Sequence, residues 1–372
     1  MSVPLGSIDG RLTLLERWSL AFRRAGTHVL VIWPPVTIAF TVYVSLQKGS
    51  LTLDLTHAYL PAAHKVLHGS SPYPPLTLSA LKPRTAFIYP PLAAWLVAPL
   101  AAAPLAVAEA IGLVAVIAAL LGTLLLLDVR DWRCYMITFL WVPTFSGIQT
   151  ANLALPVALG VAAIWRYRNH PGRAGFLTAL LVALKLYMWP LGVWLLLTRR
   201  WRHAAIAATM VPVLLLCSWA PIGFAGLTQY PRLLRLVTKL EAPDGYTLSA
   251  LLAPATSWRI ASGVGIATGL AVVGYAWRRA RQGDEQAAYA CAIAAALLLT
   301  PIVWMSYFVA LLIPLALFAP RLRPIWLVPL AFWVGPQVSN GAPWQTAAVL
   351  VVAAVVIGVT VRADVCEPFT VA

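Results

Sequence analysis

The sequence has very little charge. Only 10% of its 372 residues are Asp, Glu, Lys or Arg, and 61% are hydrophobic, whereas a soluble domain carries about 25% charged residues. Such a chain cannot cover a water-exposed surface, so a soluble globular protein is excluded. The long apolar runs also lack the alternation of barrel strands. Composition therefore predicts an all-α, polytopic integral membrane protein, with room for about 10–12 helices at about 20 residues a span.

Acidic residues are the scarcest charged groups. The 12 Asp and Glu stand against 27 Lys and Arg, which gives a formal net charge of +15. In a soluble protein this excess would suggest nucleic acid as a partner. Here most basic residues lie between apolar runs, as the positive-inside rule describes, so we expect membrane lipids and no nucleic acid as partners. The segments expected in the cytoplasm are the N-terminal arginines, 199–202, 278–281, 321–323 and Arg362.

Two basic patches contradict this orientation. With twelve spans both termini lie inside, but Arg130 and Arg133, and then the arginines of 166–173, fall on the outer side. A broken or re-entrant segment around Gly147–Asn152 or around Lys185 would reconcile the count.

The sequence lacks the usual signatures of metal, redox and nucleotide sites. Its four cysteines form no CxxC pair. It has no P-loop, no GxGxxG after a strand, no HExxH and no GxSxG elbow. We therefore expect no metal and no cofactor. An enzyme of this kind would take an activated group from a lipid instead of a nucleotide.

We expect a single multi-pass transmembrane domain over residues 27–362, in the plasma membrane. It follows a cytoplasmic segment, 1–26, whose apolar stripe is typical of a helix lying on the inner leaflet. A cytoplasmic tail, 363–372, comes after it. Two loops, 47–86 and 223–256, are long enough to form external structure.

The first of these loops carries a helical pattern over residues 56–68. Its apolar residues share one face, and its histidines and Lys65 lie on or near the other. Gly69 suits a helix C-cap, and the prolines that follow prevent the helix from resuming. We expect a helix lying in the plane of the membrane on its outer surface.

Asp54 is the most informative residue of the chain. It follows the first apolar run directly, on the side where we expect few other acids, namely Glu241 and Asp244. Burial at the membrane edge would raise its pKa towards that of a general base. The competing interpretation is that Asp54 only N-caps the 56–68 helix.

Lys185 lies inside the apolar run 180–190. A charge at that depth costs about 2.5–3.5 kcal/mol on insertion scales, so such a residue usually faces a cavity or a partner. An anionic lipid phosphate is a suitable partner, with Tyr187 and Trp189 as interfacial neighbours. The alternative is a lysine that snorkels to water from a tilted helix.

Two further segments carry polar or aromatic groups between apolar runs. Gln149 and Asn152 have amides that suit sugar hydroxyls, but amides equally suit hydrogen bonds between helices. Trp304 and Tyr307 follow the helix break at Pro301, where an interfacial aromatic belt is the alternative to a binding role.

Together these segments resemble glycosyltransferase family 87. These are GT-C-type integral membrane enzymes that include polyprenol-phosphate-mannose-dependent α-1,2-mannosyltransferases. The resemblance covers about residues 27–310. Its opening block consists of Asp54, Tyr59, Gly69, Pro72-Tyr73 and Tyr89-Pro90-Pro91-Leu92. Its later blocks consist of Gly147, Gln149 and Asn152, then Gly175, Lys185, Pro190 and Arg199-Arg200-Trp201-Arg202, and then Thr300-Pro301-Ile302-Val303-Trp304.

The resemblance implies an extracytoplasmic active site in which Asp54 is the general base of an inverting transfer. The donor would be a polyprenyl-phosphate sugar, with mannose expected first and an arabinofuranosyl or other pentosyl group as the alternative. The acceptor would be a lipid-linked or cell-envelope glycan. Lys185 or Lys65 would supply a cation for the leaving phosphate. The other expected substrate-binding residues are His57, Tyr59, Tyr73, Tyr89, Gln149, Asn152, Trp304, Ser306 and Tyr307.

Ser306 departs from the family pattern, in which a histidine often stands at this position. The departure concerns either the donor sugar or activity itself, and His57, three residues after Asp54, is a conceivable substitute. Two hypotheses of other classes therefore stay open. A transporter or flippase would show paired polar positions in two halves or an inverted repeat, and we find neither. A catalytically silent partner in envelope assembly is the other.

Overall fold

The computed structural model describes residues 14–47, 49–81, 85–337 and 339–362. Throughout these residues the chain is helical and contains no strand, which confirms the predicted all-α class. The first part of the expected interfacial segment, 1–13, and the expected tail, 363–372, lie outside the described residues.

The described chain up to Arg166 forms eight α-helices: α1 (Leu14–Gln47), α2 (Leu60–Leu67), α3 (Leu78–Leu81), α4 (Pro91–Ala101), α5 (Leu105–Leu126), α6 (Trp132–Phe139), α7 (Val142–Gln149) and α8 (Ala154–Arg166). Nine more follow in the described residues: α9 (Pro171–Leu184), α10 (Pro190–Leu197), α11 (Trp201–Trp219), α12 (Tyr230–Glu241), α13 (Leu248–Leu252), α14 (Trp258–Arg281), α15 (Glu285–Leu299), α16 (Leu312–Phe318) and α17 (Pro343–Arg362). Short π or 3₁₀ segments link them at Leu55–Tyr59, Leu186–Met188, Ala220–Ile222, Ala242–Asp244, Met305–Leu311 and Pro324–Val334.

The apolar helices make this a multi-pass membrane protein. In the described chain, four helices are long and apolar enough to cross a membrane, namely Leu105–Leu126, Trp201–Ile222, Trp258–Arg281 and Pro343–Arg362. Several shorter apolar helices lie among them. Large apolar side chains point away from the protein, such as Val114 and Leu125 of α5 at 66% and 65% exposed. Lipid, and not water, is the medium that such a surface fits.

The first helix is longer than expected. We expected an interfacial helix to end near residue 26 and a span to begin at 27, but α1 runs without a break from Leu14 to Gln47 and contains Pro34 and Pro35. The only weak helix former near the expected boundary is Gly26, and a single glycine costs about 1 kcal/mol without stopping a helix. The inner-leaflet position of its first turns stays a prediction.

Arg168 and Arg200 meet at one carboxylate. Nη2 of Arg200 lies 2.9 Å from Oε2 of Glu285, and Nε of Arg168 lies 3.9 Å from the same oxygen. Nε of Arg200 also donates to the carbonyl of Arg168 at 3.1 Å. Since Arg168 precedes α9 and Arg200 follows α10, these two helices run away from the arginines and back again. Lys185, at the break between them, is therefore the tip of a re-entrant hairpin.

A second set of contacts shows where the first conflicting patch, Arg130 and Arg133, lies. Arg166, at the end of α8, pairs with Asp128, just after α5, at 3.2 Å. Asp131 pairs with Arg133 and accepts a hydrogen bond from the backbone N–H of Leu322 at 3.0 Å. Both conflicting patches thus lie at the same end of the molecule as the other basic loops. The two interruptions suggested by the sequence, around Gly147–Asn152 and around Lys185, reconcile the count.

The first loop lies at the opposite end of the bundle. Near the start of α5, Glu109 accepts hydrogen bonds from Thr52 and Thr56, whereas Asp128 follows the end of the same helix. From Glu109 to the end of α5 at Leu126 the helix rises about 26 Å, and Asp128 follows two residues later. The predicted 56–68 helix is present there: a π-helical turn passes into α2, and Gly69 with φ +69° ends it as expected.

This folding of α9 and α10 predicts the labelling pattern of introduced cysteines. In a protein whose native cysteines are replaced by alanine, Ser70→Cys and Gly172→Cys should react with an impermeant maleimide from opposite sides of the membrane. Both positions are exposed, and a Cβ at Gly172 meets no atom within 4 Å. Gln282→Cys is the matched control and should label from the same side as Gly172→Cys. Labelling of Ser70→Cys and Gly172→Cys from the same side would contradict the re-entrant hairpin.

Candidate active site

The site begins where two distant segments join by backbone hydrogen bonds. The N–H of Thr52 donates to the carbonyl of Gln149 at 2.7 Å, and the N–H of Asp54 donates to that of Thr150 at 3.1 Å. Thr52 and Ala151 both adopt left-handed backbone conformations, with φ +57° and +51°. Such conformations cost about 1–3 kcal/mol each and persist only where the surroundings hold them. The junction of the two segments is therefore a specified geometry and not a passive loop contact.

Asn152 holds the carboxylate of Asp54. Its side-chain N–H donates to Oδ2 of Asp54, while its own Oδ1 accepts from the backbone N–H of Ala154 at 2.7 Å. The second bond fixes which side of the amide faces the carboxylate. Asp54 itself has helical backbone angles and makes no capping hydrogen bond. The interpretation of Asp54 as a mere N-cap is thus wrong, because its oxygen is directed to Asn152 instead.

Glu109 is a second acid at this site, and the sequence analysis missed it. Its Oε1 accepts from Oγ1 of Thr52 at 3.0 Å and from Oγ1 of Thr56 at 3.2 Å, on either side of Asp54 in the chain. Gly112, one helical turn later, approaches so closely that an added Cβ would lie 2.4 Å from Cδ2 of Leu55. Asp54 is therefore not the sole acid at this membrane edge. The only signal for Glu109 in the sequence was a single acid within an apolar helix. Its threonine partners could not be identified, because they lie more than 50 residues away in the chain.

Burial and hydrogen bonding act against each other on Asp54. Burial raises the pKa of its carboxyl above the ordinary value, and this is the largest effect; the hydrogen bond from Asn152 and the charge of Lys185 lower the pKa. The net direction is upward. A carboxylate of raised pKa is a stronger base than an exposed one.

Lys185 lies in a cage of tyrosine rings. Its Nζ is 4.2 Å from the ring centre of Tyr307, 5.3 Å from that of Tyr89 and 5.9 Å from that of Tyr187. Tyr187 and Tyr307 stack on each other with centroids 5.1 Å apart. The lysine is only 2% exposed, and its ammonium has no hydrogen-bond partner in the described part of the chain. The alternative of a snorkelling lysine is thus wrong, since the charge does not reach solvent.

Lys185 also lines a cavity of about 310 Å³. Its wall is mostly apolar, with Lys185 as the charged group and tyrosine and threonine hydroxyls among the other polar groups. The lining residues are Ile88, Tyr89, Pro90, Leu184, Lys185, Leu186, Tyr187, Trp189, Tyr230, Leu234, Val237, Thr238, Leu299, Thr300, Pro301, Ile302 and Tyr307. Asp54 is not among them. It interacts electrostatically with Lys185, without an ion pair within 4 Å in the described chain, and with Tyr89 and Tyr307. The two tyrosines therefore stand both at the cavity and beside the acid.

Two other predicted residues support this wall. The ring of Tyr59 packs on that of Tyr89 with centroids 5.6 Å apart, and the hydroxyl of Tyr73 donates to the carbonyl of Tyr89 at 3.2 Å. Tyr230 of α12, which the sequence analysis did not single out, donates to the carbonyl of Ile88 at 3.1 Å. Each contact fixes the 88–90 segment against the cavity.

The remaining predicted residues lie beside the cage or away from it. His57 is exposed and its Nδ1 contacts the carbonyl of Leu53 at 3.3 Å, and exposed Lys65 donates to the carbonyl of Tyr73 at 3.4 Å. Helical spacing put His57 near Asp54, and Lys65 was a candidate cation for the phosphate, but the helix turns both side chains outward. Gln149 lies close to Oγ of Ser50, at 3.5 Å. Ser306 is buried next to Gly147. Trp304 packs at the edge of the core.

Comparison with known proteins places this chain in a family. Residues 87–306 match the model of glycosyltransferase family 87. No curated protein and no solved structure matches the chain. The match includes Tyr89, Asn152, Lys185 and every other cavity-lining residue except Tyr307, whereas Asp54 precedes it. Because it covers more than half of a polytopic, all-helical membrane chain, this protein belongs to glycosyltransferase family 87.

Proposed function

We propose that this membrane glycosyltransferase transfers a sugar from a polyprenyl-phosphate donor to a lipid-linked or cell-envelope glycan acceptor, with inversion and with Asp54 as the general base. The observation that carries the proposal is Lys185, which lines the cavity and whose buried ammonium has no hydrogen-bond partner in the described chain. Mannose is the expected sugar, following the family resemblance. A pentosyl group is the alternative outcome of the same donor assay.

Lys185 suits the phosphate of the donor. An ammonium removed from water and left without a partner costs several kcal/mol, and an anion in the cavity would offset that cost. As the bond from the anomeric carbon to the phosphate oxygen breaks, negative charge grows on the leaving phosphate. A cation already held in place stabilises that charge more than it stabilises the intact donor.

The tyrosine cage suits the sugar. Tyr89, Tyr187 and Tyr307 present ring faces beside the ammonium, and aromatic faces pack well against sugar rings. The mostly apolar remainder of the wall suits the first isoprenoid units of a lipid donor and excludes water that would hydrolyse it.

Asp54 supplies the base for the acceptor. The acceptor hydroxyl loses its proton to the carboxylate while its oxygen attacks the anomeric carbon. The bond to the phosphate oxygen breaks on the opposite face, and the electron pair leaves with the phosphate. Asn152 fixes the carboxylate, and Glu109 holds the threonines on either side of it. Asp54 is not a lining residue of the cavity, so the acceptor must reach it past Tyr89 or Tyr307.

The orientation follows from the two ends of the molecule. The basic loops meet at one end through the contacts of Glu285 and Asp128, and such loops stay in the cytoplasm. Thr52 and Thr56, on either side of Asp54, bond Glu109, and from there α5 rises about 26 Å to its basic end. We therefore assign the reaction to the extracytoplasmic face, where polyprenyl-phosphate donors, rather than nucleotide sugars, are the suitable activated substrates.

Replacement of Asp54 by asparagine should abolish transfer without unfolding the protein. Asparagine keeps the size of the side chain but cannot accept the proton, and loss of a general base costs about 10²–10⁴-fold in rate. The measurement is single-turnover transfer from a radiolabelled polyprenyl-phosphate mannose in membranes. Asp128→Asn, which removes an exposed carboxylate at the other end, is the matched control and should keep its rate. A near wild-type rate for Asp54→Asn would falsify this mechanism.

Lys185→Met should raise the KM for the donor by about 10–100-fold, which corresponds to one charge-assisted hydrogen bond of about 1.5–3 kcal/mol. The KM for the acceptor should change much less, because a hydroxyl needs no cation. Lys65→Met removes an exposed lysine at the same end of the molecule and should leave both KM values unchanged. Equal rises in the two KM values would show that Lys185 does not bind the donor phosphate and instead supports the packing of the site.

The rate of transfer should rise with pH through the pKa of Asp54, because only the carboxylate accepts the proton. Because the pKa of Asp54 is raised, the rising limb of the pH–rate profile should lie above about pH 3.9, the pKa of an ordinary aspartate. Asn152→Ala removes a hydrogen bond that favours the charged form, so the limb should move to higher pH. The measurement is log kcat/KM against pH. Gln149→Ala is the control and should leave the limb in place, and an unmoved limb in Asn152→Ala would exclude Asp54 as the titrating group.

A further inference from the structure

Helix α12 forms one wall of the cavity and has two very different faces. Tyr230, Leu233 and Val237 are buried in the protein. Leu234, Val237 and Thr238 line the cavity beside Lys185. The position of this single helix therefore sets the width of the cavity.

The outer face of α12 carries three cations. Arg232, Arg235 and Lys239 are exposed, and at 100° per residue they lie within an arc of about 60°. The buried side chains of Leu233 and Val237 lie on the opposite half of the helix. Nε of Arg235 donates to the carbonyl of Pro231 at 3.3 Å, within its own helix. The face is thus a basic stripe along the outer side of the cavity wall.

This stripe lies at the end where orientation alone predicts few cations. α11 starts next to Arg200, which binds Glu285 at the basic end, and its nineteen residues rise about 28 Å before α12 begins. The hydroxyl of Tyr230 then bonds Ile88 beside the cavity. Positive charge on the translocated side opposes the positive-inside rule, so these residues do not serve to orient the chain.

We infer that the basic stripe of α12 binds anionic phospholipid headgroups and thereby holds the cavity wall at the membrane surface. The apolar face of α12 packs on the protein, so the stripe meets lipid through its charges alone, and clustered Lys and Arg beside a membrane surface are drawn to anionic lipid. Each such cation near an anionic surface strengthens binding by about fivefold. The phosphodiester of a phospholipid supplies the complementary charge, and this binding requires neither donor nor turnover.

Hydrogen–deuterium exchange resolves α12 separately from the rest of the protein. The full chain is reconstituted in nanodiscs of phosphatidylcholine, with and without phosphatidylglycerol, and exchange is measured in peptides that cover residues 230–241. We expect the amides of α12 to exchange at least about fivefold more slowly with phosphatidylglycerol present. Raising the salt from about 0.1 M to about 1 M shortens the screening length from about 10 Å to about 3 Å and should remove most of this protection.

The variant R232Q/R235Q/K239Q should lose the protection by phosphatidylglycerol, and R235Q alone should lose part of it. The matched control R202Q/R278Q/R281Q removes three exposed arginines at the other end and should keep the protection of α12. Unchanged exchange in α5, which contains none of the substituted residues, verifies that each variant is folded. Equal exchange in the two nanodiscs, or full protection in the α12 triple variant, would overturn the inference. Protection only after polyprenyl phosphate is added would assign the stripe to that lipid instead.

Discussion

The candidate site depends on the junction between residues 50–56 and 149–152. Three backbone hydrogen bonds, two left-handed residues and the bond from Asn152 to Asp54 bring together segments about 100 residues apart. α5 holds the junction from the other side through Glu109 and the close approach of Gly112 to Leu55. Because the carboxylate is fixed by an amide whose own orientation is fixed, its position does not depend on a flexible side chain. An enzyme base needs such placement before substrate arrives.

The second constraint is the re-entrant hairpin of α9 and α10. It returns the chain to the basic end, where Arg168 and Arg200 share Glu285, and leaves Lys185 at its tip. Non-helical backbone at membrane depth is tolerated only when it is buried in protein or lines a cavity, and Lys185 does both. The hairpin and the wall helix α12 then enclose one space. Base, cation and cavity wall consequently come from five separate parts of the chain.

The sequence predicted individual elements better than their relations. The α2 region was predictable because a helical pattern, a glycine and a proline run lie side by side in the chain. Lys185 was recognisable because a charge within an apolar run has few structural explanations. Glu109 was missed because its partners are two threonines in another segment, and hydroxyl groups leave no trace in a hydropathy pattern. The outward direction of His57 and Lys65 was likewise undetermined, because the rotation of a helix about its axis depends on what packs against it.

The sequence by itself determined the all-α membrane class, the apolar spans, the basic end and the presence of an isolated acid and an isolated lysine. Local composition decides these properties, since each depends on residues within a turn or a span of one another. Tertiary structure alone decided that the broken segments reverse the chain, that Asn152 and not a helix end takes the oxygen of Asp54, and that three tyrosines surround Lys185. These facts depend on hydrogen bonds and packing between residues that lie far apart in the sequence, in some cases by more than 200 positions. Such contacts stabilise the protein only once the helices are assembled.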